Sequence, residues 1–297
     1  MIFSDLRRPD WSREGLNWPG RAHSQFVEAG SFRWHVQTMG QGETILLVHG
    51  TGAATHSWFE VAQLLSEGFR VVIIDLPGHG FTSAIDRAPI SLTGVAGYLS
   101  VLLKAMHISP EVVVGHSSGV AILLQMLIDR QINPRIVISL NGAVRSFPGA
   151  AGVLFPVMAK SLYYNPVAAV FFAESARDSR RVRRLLTNTG SKPSQHYIHY
   201  YQQLLQCPGH VRGALAMMAH WRLALVERAL SEIETPVLYI AAGNDKAVPP
   251  KDAHWLAAET RLAKVLILPV LGHLAQEEAP SRVAAIIEDY GKEIAKI

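Results

Sequence analysis

At 297 residues, 49% apolar and 18% charged, the chain has the apolar content for one large α/β core. Its composition lies far from that of a disordered chain. A formal net charge of +4 is too small to imply a nucleic-acid binder, and no zinc-ligand or RNA-binding signature changes that expectation. A single cysteine, Cys207, rules out an intrachain disulfide and any cysteine-pair metal site. The 13 histidines show no metal-ligand spacing, so neither metal nor cofactor is expected. Residues 1–15 hold Asp5, Arg7, Arg8, Asp10 and Arg13 and no apolar stretch of signal-peptide length. No run approaches a membrane span. A soluble, cytoplasmic protein is the expectation.

Residues 24–38 predict a hairpin, with Phe26 and Val27 before a Gly30-Ser31 turn and Phe32, Trp34 and Val36 alternating after it. From Thr44 the texture changes to strands alternating with helices. Ile45–Val48, Val71–Ile74, Val112–Val114 and Ile136–Leu140 are continuous apolar runs, as in parallel strands buried on both faces. Helical patterns at 56–67, 91–107 and 118–130 separate them. Residues 143–232 contain helical stretches and no convincing core strand. Strands resume at Val237–Ala242 and Val265–Leu268, and an amphipathic helix begins at Ser281. The prediction is an α/β fold with a mostly parallel, eight-stranded sheet flanked by helices. Residues 1–142 and 233–297 form the core, and 143–232 form a helical lid inserted after the sixth strand.

The chemistry centres on Gly115-His116-Ser117-Ser118-Gly119, which follows the Val112–Val114 strand and opens a helix. A serine at a sharp strand-to-helix turn exposes its hydroxyl at the top of the sheet. The flanking glycines leave room for close backbone approach. Ser117 is the candidate nucleophile, and the amide of Ser118, in the first helical turn, is a candidate oxyanion donor. The strand ending in His49-Gly50-Thr51-Gly52 supplies a second donor, the Thr51 amide. His49 reads as a structural histidine bonded to loop backbone.

A serine nucleophile also needs a base and a group that orients the base. Gly243-Asn244-Asp245 follows the Val237–Ala242 strand, and Gly272-His273 follows the last strand. The order Ser117, Asp245, His273 is the one this architecture requires. Pro249 and Pro250 delay the next helix, which argues against Asp245 as a helix cap. Asn141, at the end of the sixth strand, is the rival orienter, but an amide cannot offset an imidazolium charge. Asp75-Leu76-Pro77-Gly78-His79-Gly80 reads as a tight loop with little chemistry.

Taken together, His49-Gly50, Asp75–Gly80, Gly115–Gly119, Asp245 and Gly272-His273 resemble the α/β-hydrolase superfamily from about residue 44 to the end. Ser117 at the elbow disfavours the members that use an aspartate nucleophile. Less generic strings are Trp11-x-Arg13-x-Gly15-x-x-Trp18-Pro19, Arg33–Gln37, His49–Trp58 and Leu140–Ala143. These are similar to the α/β-hydrolases encoded with bacteriochlorophyll-biosynthesis genes, described as magnesium-chelatase accessory proteins. The resemblance implies a place at the magnesium–porphyrin branch of a phototroph's pigment synthesis and does not specify a reaction.

The lid is rich in aromatic residues and methionine, which suits a flat apolar ligand such as a tetrapyrrole or a hydrophobic acyl group. Candidate pocket residues are His49, Gly50, His116, Phe147, Phe155 and Leu274. Arg177, Arg180, Arg181, Arg183 and Arg184 read either as a solvated helix face or as a patch for porphyrin carboxylates, a partner or anionic lipid. The readings carried forward are a serine hydrolase acting on a hydrophobic or porphyrin-type ester and a non-catalytic porphyrin-binding module. Expected partners are that substrate, a magnesium-chelatase subunit and a membrane surface touched peripherally, without nucleic acid.

Overall fold

The computed structural model describes residues 6–84, 88–146, 150–165 and 167–293, with the side chains of 150–156 and 293 left aside. Its strands are β1 (Ser24–Ala29), β2 (Phe32–Met39), β3 (Thr44–Val48), β4 (Arg70–Ile74), β5 (Ser83–Ala84), β6 (Val112–His116), β7 (Ile136–Leu140), β8 (Val237–Ala242) and β9 (Ala263–Leu268). The helices are α1 (Phe59–Leu65), α2 (Leu92–Ala105), α3 (Ser118–Ile128), α4 (Ala150–Tyr164), α5 (Ala168–Ser175), α6 (Ser179–Thr187), α7 (Gln195–Leu205), α8 (Pro208–His220), α9 (Ala224–Ala229), α10 (Lys251–Glu259), α11 (Ala275–Glu278) and α12 (Pro280–Glu293). One sheet runs β1-β2-β4-β3-β6-β7-β8-β9, with β5 beside β2. The pairs of β2 with β1, β4 and β5 are antiparallel, and every pair from β4 to β9 is parallel.

The β-branched and leucine runs form these strands because both sheet faces are covered. Successive side chains point to opposite faces. Leu46 and Val48 join Val113, Val137 and the α2–α3 layer. Ile45 and Leu47 join Val112, Val114, Ile138 and the α1–α12 layer. The alternation makes two cores from one set of strands.

The strand count differs from the eight predicted. The extra strand, β5, has two residues pairing Ala84 with Phe32 and Ser83 with Arg33, too few to leave a periodic signal. The long helical segment therefore follows the seventh strand in chain order, the same Ile136–Leu140 strand that was counted as the sixth. Among the described residues, six α-helices, α4–α9, lie between β7 and β8. Helices α4, α5 and α7 pack on α8, and α8 lies against the loop after β4. There a Cβ on Gly213 would sit 2.0 Å from the Gly78 carbonyl oxygen. Only glycine permits that approach. Among the described residues no helix is long and apolar enough to cross a membrane.

Candidate active site

Strand β6 runs directly into α3, and Ser117 at the joint has φ 52° and ψ −120°. Such a backbone costs about 1–3 kcal/mol and persists only where its surroundings enforce it. The Ser117 amide donates to Leu140 O at 3.0 Å, and Ser117 O accepts from Ala143 N–H at 3.0 Å and Val120 N–H at 3.2 Å. A Cβ on Gly115 would lie 2.6 Å from Val120 N, and one on Gly119 2.5 Å from Val48 O. The elbow is thus clamped between β6, α3 and the end of β3. Ser117 is half-buried, and its hydroxyl has no hydrogen-bond partner among the described residues.

The main chain after β3 passes over this serine. A Cβ on Gly50 would come within 2.8 Å of the Ser117 Cβ, and Gly52 turns the chain with φ 82°. The amides of Thr51 and Ser118 donate to no described residue, and an uncommitted amide can donate to an incoming oxygen. The Thr51 hydroxyl donates to Ser118 Oγ at 2.9 Å, and Met217 Sδ of α8 lies 2.9 Å from Thr51 Oγ1 and 3.6 Å from Ser118 Oγ.

The ends of β8 and β9 bring Asp245 and His273 together. His273 Nδ1 is 2.7 Å from Asp245 Oδ2, with both residues buried. Asp245 Oδ1 accepts the amides of Ala247 and Val248, each at 2.8 Å. This carboxylate shapes its own turn and does not cap α10, whose cap position is Pro250. The His273 ring lies 4.7 Å from that of His116, the residue before Ser117, so the imidazole stands beside the elbow.

Several supports around this centre had no clear sequence signal. Asn141, with φ 49°, donates to the carbonyls of Gly272 (3.2 Å) and His273 (2.8 Å) and accepts from Ala242 N–H at 2.7 Å. It positions the histidine loop and does not orient the imidazole. His116 Nε2–H donates to the His273 carbonyl at 2.8 Å. Burial and the neighbouring His273 hold the His116 pKa well below its ordinary value. Ser191 Oγ accepts from Leu274 N–H at 2.9 Å.

Asp75, expected to contribute little beyond a tight loop, is an anchor. It accepts from Thr55 N–H at 2.7 Å, Phe81 N–H at 2.8 Å and the His35 ring at 2.7 Å. Burial pushes its pKa upward, but the His35 contact and the amide bonds win and hold it at about 2. His210 of α8 accepts from Gly80 N–H at 3.1 Å and donates to Gly52 O at 3.1 Å.

Of the expected pocket residues, His49 is fully buried: Nδ1–H donates to Gly50 O at 2.7 Å and Nε2 accepts from Leu76 N–H at 3.0 Å. Burial lowers its pKa. With both nitrogens committed to backbone, it has no atom left for a ligand. His116 is buried with Nε2–H on the His273 carbonyl, Gly50 is buried over Ser117, and Leu274 packs with Ala53 and Ile198. Phe147 and the side chain of Phe155 lie outside the described residues.

A strand-turn-helix elbow at the carboxyl ends of a doubly wound sheet, in this chain order, belongs to one class. The alpha/beta hydrolase family matches residues 45–286, and the chain is a member of it. Among individual relatives it is 37% identical over 278 residues to the "Magnesium-chelatase 30 kDa subunit" of Rhodobacter capsulatus, covering 92% of this chain and 96% of that one. Solved structures with the same fold include a thermophilic esterase from Thermogutta terrifontis (TM-score 0.73, 21% identity, 91% of this chain and 99% of that one). A variant of an epoxide hydrolase from Solanum tuberosum also matches (TM-score 0.74, 19% identity, 91% and 99%). At these identities the structural likeness defines the fold and leaves the reaction open.

Proposed function

We propose that the chain is a serine hydrolase of the carboxylesterase type with Ser117, His273 and Asp245 as its triad. The observation that supports this most is the 2.7 Å contact of His273 Nδ1 with Asp245 Oδ2 beside the strained Ser117. His273 Nε2 takes the Ser117 proton as Oγ attacks the ester carbonyl. The amides of Thr51 and Ser118 hold the resulting oxyanion, each donor worth about 3 kcal/mol in such chemistry. Collapse expels the alcohol, which leaves with the proton from His273. Water, deprotonated by the same imidazole, then releases the acid and restores the serine. The bond from serine to imidazole forms with substrate in place, as catalytic hydrogen bonds often tighten only then.

Residues 143–232 act as the lid in this reading, and the substrate is hydrophobic or of porphyrin type. The printed name of the Rhodobacter relative supports a role as a magnesium-chelatase accessory protein in bacteriochlorophyll synthesis, with a chelatase subunit as partner. Exposed Tyr164, Phe171 and Phe172, followed in the chain by the arginines of 177–184, support peripheral contact with an anionic membrane from the cytoplasmic side. That same relative's name favours a second reading, a porphyrin-binding or chelatase-partner module without catalysis.

Hydrolysis of a series of aromatic, acyl and porphyrin methyl esters, compared between wild type and Ser117→Ala, tests the first reading. The expectation is turnover by wild type alone. Full restoration of pigment synthesis by Ser117→Ala, in a phototroph lacking the protein, would instead support the second.

A further inference from the structure

The loop after β4, helix α8 and the segment before β1 border a partly open cavity of about 140 Å³ at the seam between the core and the inserted helices. None of Ser117, Asp245 and His273 borders it. Phe32, Ala88, Ile90 and Ala216 supply the apolar part of its lining, and Arg8 and Arg212 are the charged residues among those described there.

Size selects the class of occupant, because an apolar cavity of about 150 Å³ accepts a benzene-sized molecule. Charge selects the rest. The Arg212 guanidinium is held at the wall by Tyr163, donating to its carbonyl at 3.4 Å and lying 4.7 Å from its ring centroid.

Arg8 is brought to the cavity by its neighbour. Arg7 O accepts from Gly209 N–H at 2.8 Å, and Arg7 Nη2 donates to Gln206 O at 2.7 Å. A Cβ on Gly209 would meet Arg8 Cγ at 2.6 Å, so the strap lies directly on the start of α8. Arg8 itself has neither hydrogen bond nor ion pair among the described residues. The residue is exposed to solvent along the cavity, although crowding by its neighbours lowers its pKa below the ordinary arginine value. A guanidinium with no acceptor among the described residues, beside a hollow lined in part by apolar side chains, is complementary to a carboxylate on a small apolar body.

We propose that this seam is a binding site for a small apolar carboxylate of about benzoate or hexanoate size. Its ring or chain packs against Phe32, Ala88 and Ile90, and its carboxylate meets Arg8, with Arg212 also lining the site. The site stands apart from the Ser117 chemistry and does not depend on the hydrolase reading.

Calorimetric titration of the full chain with benzoate, and with benzyl alcohol as its neutral counterpart, tests this. Saturable one-to-one binding of benzoate is expected in wild type and unchanged in Ser117→Ala. Loss of the charge-assisted contact in Arg8→Gln should weaken it by about tenfold or more. Benzyl alcohol should bind wild type more weakly by a similar factor. Ala88→Leu should block the cavity, and a melting temperature for each variant checks folding. Should Ala88→Leu fail to fold, Arg8→Gln decides alone. Absence of saturable benzoate binding to wild type, equal affinity in a folded Arg8→Gln, or loss of binding in Ser117→Ala would each overturn the proposal.

Discussion

Asp245 uses its two oxygens for different tasks, and this makes a sharp prediction. Oδ1 accepts the amides of Ala247 and Val248, so it must stay an oxygen when aspartate is replaced by asparagine. The new NH2 group is then forced toward His273 Nδ1, which becomes an acceptor and drives the ring proton to Nε2. An imidazole in that tautomer cannot take the serine proton. Asp245→Asn should keep the fold and lower kcat by roughly 10⁴-fold, as the wrong tautomer does in other triads. Steady-state kinetics on an ester checks it, and a fall of less than tenfold would contradict the role. Ser117, Asp245 and His273 were legible because each follows an apolar strand and carries a neighbouring glycine. Asn141 and His116 were not legible in their actual roles. Both act on main-chain carbonyls of the histidine loop, and a carbonyl partner leaves no trace in residue type.

Among the elements, α8 joins the inserted helices to the site. His210 bridges Gly80 and Gly52, and Met217 reaches Thr51 and Ser118. Burial lowers the His210 pKa from 6.5 to about 4, with the Gly52 hydrogen bond and nearby Asp75 opposing and His49 and Arg8 assisting. The unfolded chain therefore binds this proton first. Stability from His210 is complete above pH 6.5 and is lost as pH falls toward 4. At roughly 1.4 kcal/mol per pH unit, the displacement corresponds to about 3 kcal/mol. Glutamine can repeat both bonds without titrating. Denaturant unfolding between pH 4 and 7 should show a shallower acid loss for His210→Gln than for wild type. The other buried histidines contribute equally to both proteins, so identical slopes would refute the assignment. The strands and helices of the core were legible from period and length, whereas the docking of α8 was not. It depends on Gly78 meeting Gly213, a coincidence of two glycines distant in sequence.

At the scale of the whole molecule, the core and inserted helices also meet at a buried carboxyl. Glu277 Oε1 accepts from Ser57 at 2.5 Å and from Tyr201 of α7 at 2.8 Å. Burial raises its pKa from 4.5 to about 8, outweighing the hydroxyl bonds that favour the anion. A raised carboxyl pKa stabilises the fold fully below 4.5, and that contribution is lost as pH climbs through 8. Glu277→Gln mimics the neutral acid. It should flatten the decline of melting temperature between pH 5 and 9 and leave the variant the more stable protein at pH 9. A wild-type curve without that decline would contradict the account. The layered sheet was legible because both its faces are apolar, but the two-residue β5 was too short to register.

The central claim is that Ser117 is a nucleophile activated by His273 and Asp245. Reaction with a fluorophosphonate, read by intact-protein mass, tests it most directly. The account predicts one covalent adduct on wild type and none on Ser117→Ala. Labelling of neither protein, or of both equally, would contradict it.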